Sequence, residues 1–191
     1  MASAESLIKL FHHRWNVPLL ASLHQLGGAK FITLLNRHQM SRDSLSRTLE
    51  VLMQHGWIMR NPGYGHPLRP EYIFTPAGEK LGPLCAQLMK GFETLGLKDV
   101  GLNKWSMPVV YSLCQGHHRF SELKNATPGI TPRALTQTLE QLEQACLIQR
   151  NAISAIATRS RYDLMTKNCP LCAALEQLVQ ALAEATTMEQ P

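Results

Sequence analysis

The sequence predicts a mainly helical α+β chain with small β-hairpins, built as a tandem duplication of one domain of about ninety residues. Two observations carry this reading. The chain matches itself when slid by ninety positions, and each half repeats the same order of helix-period and strand-period segments. Between positions 15 and 88 the slide gives 19 identical pairs among 74 positions, where ordinary residue usage gives roughly four or five. "RWNVPLLASLHQ" (14–25) falls on "KWSMPVVYSLCQ" (104–115), and "LSRTLEVLMQHGWIMRN" (45–61) falls on "LTQTLEQLEQACLIQRN" (135–151). The pairs Phe31/Phe120 and Leu34/Leu123 sit at a spacing of 89, and ninety is restored before Leu45/Leu135. A one-residue loop indel produces that shift. A period of ninety is a domain, not a solenoid repeat. The break falls in "GFETLGLKDVGLNK" (91–104), where Gly91, Gly96 and Gly101 suit an interruption between helices. The predicted domains are therefore 1–97, the divergent copy, and 98–191.

The second copy shows the elements more plainly. "NKWSMPVVYSLCQG" (103–116) places Trp105, Val109, Val110 and Leu113 on one helical face, with Gly116 as its end. "RFSELKNA" (119–126) is a short helix with Phe120 and Leu123 inward, and "TPGI" (127–130) is a turn. In "TPRALTQTLEQLEQACL" (131–147), Thr131 is an N-cap and Pro132 a first helical residue. Leu135, Leu139, Leu142 and Cys146 form a stripe expected to be buried, which leaves Arg133, Thr136, Gln137, Glu140 and Gln141 on the other face. "LIQR" (147–150) and "RYDL" (161–164) read as strands around a wing, "NAISAIATRS". "CPLCAALEQLVQALAEA" (169–185) closes the copy with an amphipathic helix.

The first copy follows suit. Its third helix spans "SRDSLSRTLEVLMQHG" (41–56), capped by Ser41, ended by Gly56 and striped by Leu45, Leu49 and Leu52. Strands "WIMRN" and "EYIF" flank a wing, "PGYGHPLRP" (62–70), and "PAGEKLGPLCAQLMKGF" (76–92) supplies the closing helix. Helix, helix, tight turn, helix, hairpin, helix is the order of a winged helix-turn-helix. In that arrangement the third helix can enter a major groove about 12 Å wide. An α+β protein-binding module has the same order.

Composition narrows the class. The 191 residues are 45% hydrophobic and 17% charged, the balance of a globular chain. No apolar run nears the ~20 residues that cross a bilayer, and the N-terminal segment does not read as a signal peptide. Five cysteines, an odd number, fit a reducing compartment better than a disulfide framework, so a cytoplasmic location is expected. The formal charge of +5 is carried by residues 1–90, with ten Lys+Arg against five Asp+Glu; residues 91–191 hold nine of each. The first half is thus expected to supply more of the sequence-independent attraction to a polyanion. No phosphate-binding glycine loop, Ser/His/Asp signature or paired carboxylates appear, so no enzyme is predicted.

The stretches "KWSMPVVYSL", "HRFSELKNATPGITPRALTQTLEQLEQACLIQR" and "SRYDLM" resemble the HxlR-type winged helix-turn-helix regulators. "KFITLLNRHQMSRDSLSRTLEVLMQHGWIMR", "LRPEYIF" and "TPAG" are a more divergent match, and together the matches cover about 14–88 and 104–178. The resemblance implies regulators that bind double-stranded operator DNA as homodimers, with the third helix in the major groove and the wing on the backbone or minor groove. Two covalent copies imply an internal pseudo-dimer, and leave open whether two chains also form a homodimer. Some members of that family sense oxidants through a cysteine near the N-terminus, but no cysteine precedes Cys85 here.

On the second third-helix, Arg133, Thr136 and Gln137 are the expected base readers: Arg suits guanine, Gln adenine, and Thr either. At a spacing of ninety they correspond to Asp43, Ser46 and Arg47, with Arg42 adjacent. Asp43 suits the helix N-terminus better than DNA. Arg69 and Arg159 precede the second wing strand in both copies, where the family pattern also has an arginine, and with Arg161 are expected at phosphates or the minor groove. Against this stand a solvated polar face for the helices and a local partner such as Glu71 for the arginine. Arg14, Lys104 and Lys124 are candidate phosphate contacts. Trp15 and Trp105 read as core anchors rather than base-stacking platforms. "CPLC" (169–172) is a Cys-x-x-Cys that admits a thiol or metal sensor using Cys169 and Cys172, but a zinc site lacks a second pair. No cofactor or metal is predicted, and the residues do not name an effector.

Overall fold

The computed structural model describes residues 4–61, 71–152, 160–165 and 170–188. The wing predicted at 62–70 lies outside the described residues, as do Cys169 and residues 153–159 of the wing predicted at 151–160, whose residues 151, 152 and 160 belong to strands. The fold is mainly helical, with small antiparallel sheets and two helix-turn-helix units in tandem.

The first unit runs α1 (Ala4–Leu10), α2 (Asn16–Leu26), β1 (Ala29–Lys30), α3 (Phe31–His38), α4 (Arg42–Gln54), β2 (Ile58–Arg60), β3 (Glu71–Phe74) and α5 (Leu81–Thr94). After α6 (Lys98–Gly101) the second unit runs α7 (Ser106–Cys114), α8 (Phe120–Ala126), α9 (Pro132–Gln144), β4 (Ile148–Ala152), β5 (Ser160–Leu164) and α10 (Pro170–Met188). In the first unit β3 lies between β1 and β2, with Lys30 opposite Glu71 and Arg60 opposite Tyr72. In the second, β4 pairs with β5, Arg150 opposite Tyr162, and a single bridge joins Arg119 to Arg161 where the first unit has β1.

The third helices start where their capping chemistry says they should. Ser41 Oγ accepts from the Ser44 N–H at 3.2 Å, and Thr131 Oγ1 accepts from the Ala134 N–H at 3.2 Å. Each satisfies one of the four amides that a helix start leaves without an intrahelical partner. The closing helix of the first unit begins at Leu81, not at residue 76 as expected. Thr75 instead organises a turn there, donating to the Gly56 carbonyl and accepting from the Gly78 N–H at 3.1 Å. Gly78 has no room for a side chain, since a Cβ would lie 1.8 Å from the Trp57 carbonyl oxygen.

One continuous core joins both units. α2 packs on α5, and α7 on α10. At a spacing of ninety α5 corresponds to α10, and these two equivalent helices also pack on each other. Lys80 Nζ reaches Glu184 Oε2 across that contact at 2.6 Å. The N-terminal α1 crosses over to pack on α7 and α10, burying Leu7 and Leu10 fully. Neither α1 nor α6 is among the elements expected from the sequence. The spacing of Leu7, Leu10 and Phe11 is the signal that marks α1.

Two expectations about cysteine fail. Cys146 does not belong to the buried stripe: it is exposed, with φ +54, in the left-handed turn that ends α9. Its counterpart Gly56 has φ +64. The stripe ends at Leu142 because the helix does. The odd cysteine count also misleads, since Cys172 is disulfide-bonded to Cys114, 58 residues away. The corresponding positions of the first unit, His24 and Gly82, approach as closely: a Cβ on Gly82 would lie 2.9 Å from the His24 Cβ. The fold thus brings α2 to α5 and α7 to α10 at this level.

Candidate nucleic-acid interface

Positions 41–50 and 131–140 share one exposure pattern, residue for residue. Leu45, Leu49 and Leu52 are buried in α4, and Leu135, Leu139 and Leu142 in α9. Burying such a leucine contributes about 2 kcal/mol, so six of them fix which way each helix faces. Thr48 and Thr138 fold back inward, donating to the carbonyls of Ser44 at 2.7 Å and Ala134 at 2.8 Å.

The opposite faces are open. Arg42, Asp43, Ser46, Arg47 and Glu50 are exposed on α4; Arg133, Thr136, Gln137 and Glu140 are exposed on α9. Thr136 also donates to the Pro132 carbonyl at 3.0 Å, leaving its methyl and oxygen lone pairs outward. Each face therefore offers hydrogen-bonding groups on a rigid, capped helix. Gln141 is tied by Asn103, whose amide donates to Oε1 at 3.2 Å.

The remaining candidates are distributed unequally. Arg69 and Arg159 lie outside the described residues. Arg161 is exposed, and its Nε donates to both Asp163 oxygens at 2.8 and 3.1 Å. Asp163 also meets His118 Nδ1 at 3.1 Å. Burial raises the Asp163 carboxyl, but hydrogen bonds from Arg161 and Asn151 outweigh it and hold the group below the usual range. Lys124 is exposed. Arg14 and Lys104 sit over the rings of Trp15 and Trp105, at 5.5 and 4.7 Å from the centroids. Both tryptophans precede a helix and pack half-buried against the core, in the same place in each unit.

The start of α8 is pinned by Glu122, whose Oε2 accepts from the backbone N–H of His118 at 2.9 Å and of Arg119 at 3.0 Å. These two amides, that of Arg119 first, hold the carboxyl below its ordinary range. The turn between α8 and α9 is supported by Ser112 and Thr127, whose hydroxyls lie 3.3 Å apart. In the first unit Ser22 Oγ and His38 Nε2 make the matching contact at 2.9 Å.

The cysteines do not form the Cys-x-x-Cys pair that the sequence admits, because Cys172 is joined to Cys114. Cys85 is wholly buried, and burial pushes its thiol far above the ordinary value. No group of three or more potential metal ligands occurs among the described residues. No helix among them is long and apolar enough to cross a membrane.

Comparison with known proteins agrees with this geometry. The HxlR-like helix-turn-helix family matches residues 10–96 and again residues 100–190. The HTH-type transcriptional regulator YkvN of Bacillus subtilis (strain 168) is 36% identical over 90 residues, spanning 47% of this chain and 75% of that protein. An HTH-type transcriptional regulator of Methanothermobacter thermautotrophicus is 34% identical over 86 residues, 45% of this chain and 65% of that protein. YodB of Bacillus subtilis, also an HTH-type transcriptional regulator, is 26% identical over 101 residues, 53% of this chain and 84% of that protein. No solved structure matches the chain. The chain belongs to the HxlR-like helix-turn-helix family of transcriptional regulators, and it carries that family's unit twice in one polypeptide.

Proposed function

We propose that this chain is a non-catalytic, sequence-specific binder of double-stranded operator DNA that regulates transcription in the cytoplasm. One observation carries the reading: α4 and α9 share an exposure pattern that buries their leucines and turns their polar residues outward. In the proposed complex each helix lies in a major groove. Arg42, Ser46 and Arg47 read one half-site, and Arg133, Thr136 and Gln137 the other. Arg69, Arg159 and Arg161 lie along the backbone or minor groove with the wings. For Arg161 this means exchanging or sharing its Asp163 partner.

The two units act as a covalent pseudo-dimer. The packing of α5 on its equivalent α10 supports this, because contact between like surfaces is what a two-fold dimer makes. Reading helices in successive major grooves are about 34–36 Å apart. The half-sites are related but not identical, since the first unit has Asp43, Ser46 and Arg47 where the second has Arg133, Thr136 and Gln137. Selection of bound duplexes from a random pool tests this. Two similar, non-identical half-sites about one helical turn apart support the pseudo-dimer. A perfect palindrome as the optimal site points to two chains binding symmetrically, and no enriched sequence points to a protein-interaction adaptor.

A further inference from the structure

A cavity of about 340 Å³ opens between α2, α3, α5 and α6. That volume is at the lower end of the range usual for small-molecule sites. Its apolar surface comes from Trp15, Pro18, Ala21, Met89 and Leu102. Three cations, Arg14, Arg37 and Lys98, stand around it. Two carboxylates, Glu93 and Asp99, share the lining, yet none of the three cations forms an ion pair within 4 Å among the described residues. Arg37 donates instead to Gln25, and Arg14 rests on the Trp15 ring. The His38 ring meets Trp15 edge-on at 5.8 Å and is fixed by Ser22. Burial first, then Arg37 and Lys98, lowers the His38 pKa, so this wall is a neutral aromatic edge.

The second unit shows that the fold does not need these groups. The anchoring residues recur: Trp105 for Trp15, Ser112 for Ser22 and Gln115 for Gln25. The small side chain and the added cation do not. Tyr111 stands where the first unit has Ala21, and at the local spacing of 89, Ala126 and Thr127 stand where it has Arg37 and His38. Tyr111 packs against the core. The first unit thus has a methyl where the second has a bulky ring, and lines the cavity with a guanidinium and an imidazole where the second has Ala126 and Thr127.

From this arrangement we infer that the cavity is a binding site for a small aromatic carboxylate, its ring against Trp15 and His38 and its carboxylate on Arg37 and Arg14. An arginine fork matches a carboxylate in a bidentate fashion, and an aromatic ring gains on offset or edge-to-face contact with the two rings. The site ends four residues before α4, since His38 closes α3 and Arg42 opens the next helix. Binding there is separable from binding DNA, so the test uses the free chain.

Titration calorimetry of the full chain with 2-naphthoate, 2-naphthamide and inorganic phosphate reads the site directly. Saturable 1:1 binding of naphthoate is expected, with the uncharged amide at least about tenfold weaker and phosphate not competing. Arg37→Ala installs the residue of the second unit and should weaken naphthoate about tenfold or more. Ala21→Tyr should abolish binding by refilling the gap. Thermal melts establish that each variant folds, and Arg14→Gln serves as the second charge variant if Arg37→Ala does not. Failure of naphthoate to saturate, equal binding of the amide, or unchanged affinity in folded Arg37→Ala and Ala21→Tyr overturns the inference. Equal binding of phosphate overturns the aromatic part by showing a bare anion site.

Discussion

Breaking the disulfide between Cys114 and Cys172 should destabilise the chain strongly, by an amount that follows from its place in the sequence. The bond closes a loop of 58 residues between α7 and α10. In the chain-entropy treatment a loop of that length removes about 14 cal/mol/K from the unfolded ensemble, or about 4 kcal/mol at 25 °C. Little native packing should be lost. The same helices of the first unit approach as closely at His24 and Gly82 with no covalent link, so helix packing alone sustains the contact. For a chain of this size 4 kcal/mol corresponds to a melting temperature lower by roughly 10 °C. Thermal unfolding by far-UV circular dichroism, with and without a phosphine reductant, measures the shift. Cys172→Ser should reproduce it and be insensitive to reductant. Peptide mapping after alkylation should recover Cys114 joined to Cys172. Equal melting of oxidised and reduced protein, or recovery of Cys172 joined to Cys169, refutes the reasoning.

Gly82→Ala should destabilise the first unit by about 1–3 kcal/mol, because its Cβ would lie 2.8 Å from the Phe74 ring and 2.9 Å from the His24 Cβ; a urea midpoint equal to wild type contradicts this. Cys146→Gly should stabilise by about 1 kcal/mol by relieving a left-handed backbone at φ +54, and an unchanged or lower midpoint removes the strain argument. Glu122 is held below its ordinary value of 4.5, so its contribution is full above that pH and is lost as pH falls through the folded value. Stability followed between about pH 3 and pH 6 should fall less steeply in Glu122→Gln than in wild type; parallel curves contradict the assignment.

What was legible in the sequence was whatever local chemistry decides. Leu135, Leu139 and Leu142 at helical spacing, Thr131 as cap and Pro132 behind it define α9 without tertiary information. The duplication transfers the same reading to Leu45, Leu49 and Leu52. Sequence reasoning failed where partners are distant. Cys172 has a near neighbour at Cys169 and a far one at Cys114, and spacing does not choose between them. Cys146 continues the leucine period, yet the turn ends the helix first and puts that residue where Gly56 stands in the other copy. The cavity beside Trp15 was invisible because it is made by absence, Ala21 in place of Tyr111, and by side chains from four helices. The exposed faces of α4 and α9 followed from the leucine stripe alone, since burying one side of a helix leaves the other to solvent.

The most direct test of the account is fluorescence anisotropy of a selected duplex with wild-type chain and with Arg47→Ala/Gln137→Ala, measured across a series of salt concentrations. The account predicts affinity that falls steeply as salt rises, in proportion to the phosphates contacted. It also predicts a loss of at least about tenfold in the folded double variant, since one base-reading pair is worth about 1–3 kcal/mol. Absence of duplex binding even at low salt, or unchanged affinity in the double variant, would contradict the claim that the outward faces of α4 and α9 read DNA.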